Sequence, residues 1–191
     1  MHISLARPSF LRSWGVLRLV HMSTRLTSSN YGKLVAAVLA TLYFGRCILT
    51  ATDWHFIDNV NLLIHEAGHA IFFFFGEFLY ILGGSLFQVL FPLVFVGYFV
   101  WKQQFFSASL VLFWIGENLL NVSVYAGDAI VMQLPLLGGD TNGHDWHNIL
   151  SMLHALQFTS VVSGTIYAAG IIVIVLAAAG SLYFAQLSEQ E

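Results

Sequence analysis

The sequence predicts an all-α membrane protein: a polytopic helix bundle of about five transmembrane helices plus one short re-entrant or interfacial segment. Three observations predict it. Apolar residues make up 58% of the chain and charged residues 9%, where a soluble domain carries about 25% charged residues. The mean hydropathy is +0.76. Apolar stretches long enough to cross a bilayer recur along the chain, separated by polar or glycine-containing turns. At 191 residues the chain divides into a basic N-terminal tail (1–30), one membrane-embedded domain (31–187) and a short tail (188–191).

Residues 1–30 carry Arg7, Arg12, Arg18 and Arg25 and no acid. A cytoplasmic basic tail, a targeting leader, or an overlong start with Met22 as initiator all fit that composition. The first span runs from about Leu34 to Thr52. Arg46, in its outer half, either snorkels or pairs with a carboxylate of the bundle. Asp53-Trp54-His55-Phe56-Ile57-Asp58 reads as an interfacial loop with Trp54 at headgroup level. The second span begins near Val60 and continues through the Phe72–Phe75 run to Tyr80, which puts Glu77 two turns deeper than His69. Gly83-Gly84 breaks the helix, and a third span ends near Trp101.

The fourth span, about Ser107 to Tyr125, carries Glu117, Asn118 and Asn121. Asn118 and Asn121 read as interhelical hydrogen-bonding residues; Glu117 is open between that role and a metal ligand. Residues 129–137 are too short to span and read as the re-entrant or interfacial stub. Gly138-Gly139-Asp140 and Asn142-Gly143 are turn chemistry, followed by the donor-rich His144-Asp145-Trp146-His147. Residues 148–158 read as a short amphipathic helix with Ile149, Met152, Leu153 and Leu156 on one side. The last span runs from about Val161 to Phe184, with Gly164, Ala168 and Gly170 permitting close packing.

One motif organises the chain. His65-Glu66-Ala67-Gly68-His69 sits in an otherwise apolar helix. Residues four apart share one helix face, so His65 and His69 present two imidazoles to one ion, and Glu66 lies beside them as a general base for a metal-bound water. Ionisable groups cost several kcal/mol each in an apolar bundle unless partnered, by about the insertion penalty of a charged residue. A bound cation partners all three; a buried hydrogen-bond network is the alternative. The single Cys47 excludes an intrachain disulfide and a Cys-based zinc site. A zinc ion is therefore held by His and carboxylate. Three donors are candidates for the third position. Ligand chemistry favours Asp145 or His144, and depth favours Glu117 if five spans alternate across the bilayer; Asp145 or His144 is taken first, with Glu117 as second choice or as an outer partner of a ligand. Too few Lys and Arg remain after residue 30 to form a nucleic-acid surface.

These residues resemble small bacterial membrane proteins related to the site-2-type (M50-like) zinc metallopeptidases. The resemblance rests on His65-Glu66-Ala67-Gly68-His69, on Gly116-Glu117-Asn118 with Asn121, and on Gly138-Gly139-Asp140 with His144-Asp145-Trp146, and covers about residues 55–155. It implies two zinc-binding histidines, His65 and His69, a catalytic Glu66, and a third ligand Asp from a later segment. That Asp usually stands in a Leu-Asp-Gly setting; here Gly-Gly-Asp140 and His144-Asp145 occupy the region. The implied protein is a multi-pass enzyme of the bacterial inner membrane that cleaves a membrane-protein or peptide substrate with one zinc ion. Two rivals stand beside it: a non-enzymatic metal-binding membrane protein for metal passage, sensing or complex assembly, and a purely structural relative.

Overall fold

The computed structural model describes residues 30–135 and 143–187. Residues 1–29 of the basic tail, residues 136–142 with Gly138-Gly139-Asp140 and Asn142, and the final four residues lie outside that range. Among the described residues there are six α-helices and no strand: α1 (Asn30–Leu49), α2 (Asp58–Phe72), α3 (Glu77–Trp101), α4 (Phe105–Gly127), α5 (Asp145–Met152) and α6 (Thr159–Ala185). Four segments are long and apolar enough to cross a membrane: α1, α3, α4 and α6 with the turn before it. This is the pattern of a multi-pass membrane protein.

Among the described residues the count of five is not reached. α2 has 15 residues, about 22 Å at 1.5 Å per residue, against a hydrocarbon core of about 30 Å. The apolar run that suggested a longer span is cut by a 3₁₀ turn at Phe73–Phe75. Gly76 then takes φ 90°, a left-handed conformation open to glycine. Glu77 therefore starts a new helix and is exposed; it does not lie two turns below His69. Gly83-Gly84, expected to break a helix, lie inside the uninterrupted α3. Their use is close approach. A Cβ on Gly68 of α2 would collide with the Gly83 carbonyl and come within 2.8 Å of the Phe87 Cβ, so α2 and α3 pack almost backbone to backbone.

Residue pairs fix the helix directions. Phe105 stacks on Phe184, Gly116 meets Gly170 and Ser163 donates to the Ser123 carbonyl, so α6 runs antiparallel to α4. Of the three small residues expected to pack α6 closely, Gly170 does so; Gly164 has open space around it and Ala168 is exposed. Phe91 contacts Trp114 and Gln88 bonds Asn121, making α3 antiparallel to α4. His65 meets Gln88 and His69 meets the Tyr80 carbonyl, so α2 is antiparallel to α3 and parallel to α4. Lys33 lies over Phe106 and Phe44 stacks on Phe113, so α1 is also parallel to α4.

α1 and α2 thus point the same way, which strict alternation of five spans does not allow. The connection between them lies level with Asn121, inside the bundle's depth, because Asn121 donates to Asp58 at the start of α2. Arg46 is exposed and forms no ion pair among the described residues. α5 packs its Ile149 and Leu150 into the core (3% and 2% exposed), while Met152 and Leu153 are 40% and 57% exposed. Of the apolar stripe predicted for residues 148–158, Ile149 and Leu156 pack into the core and Met152 and Leu153 do not, because α5 ends at Met152.

Candidate metal centre

α2 carries His65 and His69 on one face, one turn apart, with ring centroids 4.9 Å apart. α3 presses against that face at Gly84. A Cβ there would lie 2.6 Å from the His69 Nε2 and collide with that of His65. Only glycine leaves room for both imidazoles. Replacing Gly84 with alanine is expected to spread the two rings and lower zinc affinity at least tenfold, read by competition with a chelating dye; unchanged affinity would show that the rings do not share an ion.

The third donor comes from α5. The Asp145 Oδ2 lies 2.9 Å from the His65 Nε2 and 3.3 Å from the His69 Nε2. Donor atoms about 2.0–2.1 Å from a tetrahedral zinc stand about 3.3 Å from each other, so the spacing suits a shared ion. The opposite imidazole nitrogens are already engaged. The His69 Nδ1–H donates to the Tyr80 carbonyl at 2.8 Å, and the His65 Nδ1–H donates to the Gln88 Oε1 at 3.2 Å. Each neutral ring therefore turns an Nε2 lone pair toward a carboxylate oxygen. The three donor atoms lie within 4.8 Å of one another, and positive charge between them, a proton or a metal ion, satisfies them. This is the outer-partner arrangement that orients metal-binding histidines.

The same geometry governs the protons when these groups hold them. The Asp145 hydrogen bond pushes the His69 imidazole above its usual pKa, against the opposing effect of burial. Burial pushes the Asp145 carboxyl up, but its bonds to His65 and His69 outweigh that and hold it below the usual aspartate value. The pair thus favours opposite charges.

Several residues place Asp145. Its backbone N–H donates to the Tyr125 hydroxyl at 2.9 Å, and the neighbouring Trp146 Nε1–H donates to the Ser85 hydroxyl. Asp128, just past α4, accepts from the backbone N–H groups of Gln133 and Leu134 and bonds the His144 Nε2 at 3.2 Å. It folds the chain back after α4, so that the start of α5 reaches His65. His144, the alternative third donor, is fully buried but turned away. Its Nδ1 accepts from the His147 N–H and caps α5, so it anchors Asp145 beside it. Glu117 is not at this centre either. It meets Asn61, which donates to the Glu117 Oε2 at 2.6 Å, two turns along α2 from His69. The depth estimate that favoured it took α2 to start at the membrane face, whereas α2 starts inside the bundle.

Glu66 is exposed at the edge of the centre, near enough to His69 for its charge to favour the imidazolium. Asn121 takes the interhelical role expected of it, between Gln88 and Asp58. Asn118 does not: it is fully buried and neither amide atom has a partner among the described residues. A cleft of about 600 Å³ opens elsewhere, lined by Ile48, Ser123, Ser163 and Tyr167 among others, and none of the three clustered donors lines it. The sequence pattern reads Gly84 as a helix break rather than as part of the centre and gives no role there to Gln88 or the Tyr80 carbonyl. Gln88 had a visible signal, an amide inside an apolar span; a backbone carbonyl has none.

No protein-family model matches the chain, and neither a curated protein nor a solved structure shows significant similarity to it. The functional reading rests on the residues and their geometry.

Proposed function

We propose that this chain is a membrane-embedded zinc peptidase, set in the inner membrane of a bacterium, with His65, His69 and Asp145 as the metal ligands and Glu66 as the general base. The observation that carries the proposal is the convergence of one Asp145 oxygen on the free nitrogens of two imidazoles one turn apart. Three protein donors leave a fourth position for water, the open arrangement of catalytic rather than structural zinc. Zinc in that position supplies a Lewis acid and brings the pKa of water to about 7. Glu66 has an exposed carboxylate with no hydrogen bond to restrain it among the described residues. It takes the proton from the water and passes it to the leaving amine. Gln88 and the Tyr80 carbonyl hold the ring tautomers that keep both Nε2 atoms available. The choice of a peptide bond as substrate follows the motif resemblance.

The test uses the full chain reconstituted in vesicles with a set of transmembrane peptides. Cleavage is expected, abolished by a strong chelator and restored by zinc. A protein that takes up zinc yet cleaves nothing, and instead carries zinc across the vesicle wall, overturns the peptidase reading in favour of metal passage. One observation favours that second reading: His55, Asp58 and Glu117 form another donor group at a different level of the bundle, as a path for an ion requires.

A further inference from the structure

We infer that His55, Asp58 and Glu117 form a second binding site for a divalent transition-metal ion, separate from the His65–His69–Asp145 centre and independent of whether that centre is catalytic. One ligand atom from each of the three lies within 4.8 Å of the others. They come from the α1–α2 connection, the first residue of α2 and the middle of α4, so the fold has brought distant parts of the chain together.

Charge balance argues for an ion. Asp58 is 3% exposed and Glu117 2%, and among the described residues neither pairs with Lys or Arg. The polar groups around them are neutral. The Asn121 Nδ2 donates to the Asp58 Oδ1 at 3.2 Å, the Asn61 Nδ2 to the Glu117 Oε2 at 2.6 Å, and the backbone N–H of His55 to the Asp58 Oδ2 at 2.6 Å. Amides orient carboxylates without neutralising them. Two buried carboxylates carry two negative charges, which one divalent ion cancels; protons cancel them only if one is shared between the carboxylates and a second sits on His55.

The histidine supplies the independent observation. The Thr50 hydroxyl spends its hydrogen on the Arg46 carbonyl, so at its 2.9 Å contact with the His55 Nε2 it accepts. That puts a proton on Nε2, so in the neutral ring Nδ1, 3.6 Å from the Asp58 Oδ2, is the nitrogen left to bind an ion. As at His65 and His69, one ring nitrogen is held by an outer partner and the other lies near a buried carboxylate, here at the longer distance of 3.6 Å. The imidazole selects the ion: one nitrogen with two carboxylates suits zinc, manganese, iron or cobalt, whereas magnesium and calcium prefer oxygen alone.

The test counts zinc on the full-length chain purified in detergent, by native mass spectrometry and elemental analysis. Wild type is expected to bind one zinc more per chain than Glu117→Gln, Asp58→Asn or His55→Ala. The zinc those variants keep at His65 and His69 reports that they are folded, and His55, at the edge of the bundle, is the mildest of the three changes. Asp145→Ala should lose the other ion and keep this one. Equal zinc content in wild type and all three variants overturns the proposal and leaves protons as the neutralising charge. Should wild type hold a zinc that Asp145→Ala keeps and Glu117→Gln loses, this site stands even where the peptidase reading fails.

Discussion

Glu66→Gln is expected to leave zinc content unchanged and to reduce peptide cleavage by about 10²–10⁴-fold, the usual contribution of a positioned general base. The substitution keeps shape and removes the proton acceptor. Glu66 accepts no hydrogen bond among the described residues and sits on the exposed side of α2, so nothing in the packing depends on its charge. The folded structure and the three donors should survive intact. Zinc content by elemental analysis and turnover of the same preparation provide the two readouts. Loss of zinc together with activity would mean that Glu66 holds the metal. Full activity without the carboxylate would remove the base from the mechanism, and with it the hydrolytic reading of the motif.

How far the site was legible in the sequence depends on distance along the chain. His65, Glu66 and His69 are related by helix periodicity alone, so their shared face follows from spacing. Asp145 is 80 residues from His65, and the contact depends on chain reversal after α4. The signals for that reversal are the Asp128 carboxylate and the buried His144. In sequence His144 reads as a ligand rather than as a brace, because a histidine that caps a helix and one that binds metal look alike. The span count failed for a local reason. Phe72 to Phe75 is apolar enough to continue α2, and one glycine with positive φ is enough to end it. That turn takes Glu77 off the helix that carries His69 and lets α3 double back, bringing Gly84 and Gln88 against the imidazoles. The level of Glu117 was misjudged because hydropathy marks where apolar runs lie but not that α2 starts partway into the bundle, where Asp58 is buried.

The second large effect separates Asp145 from its neighbour. Asp145→Ala is expected to abolish stoichiometric zinc at the His65–His69 centre, because two imidazoles without a carboxylate lose both the charge and the third ligand. His144→Ala should weaken zinc binding by no more than about 10–100-fold, the range for an outer partner that orients a ligand. Its loss removes the cap on α5, worth about 1 kcal/mol, and the tie to Asp128. The Tyr125 hydroxyl and the Trp146–Ser85 bond still hold the start of α5 in place. Zinc affinity measured on both variants should therefore differ by more than tenfold, with Asp145→Ala the weaker. The reverse order would mean that His144 rotates into the centre when zinc binds, and that the Asp145 contact belongs to the metal-free protein alone.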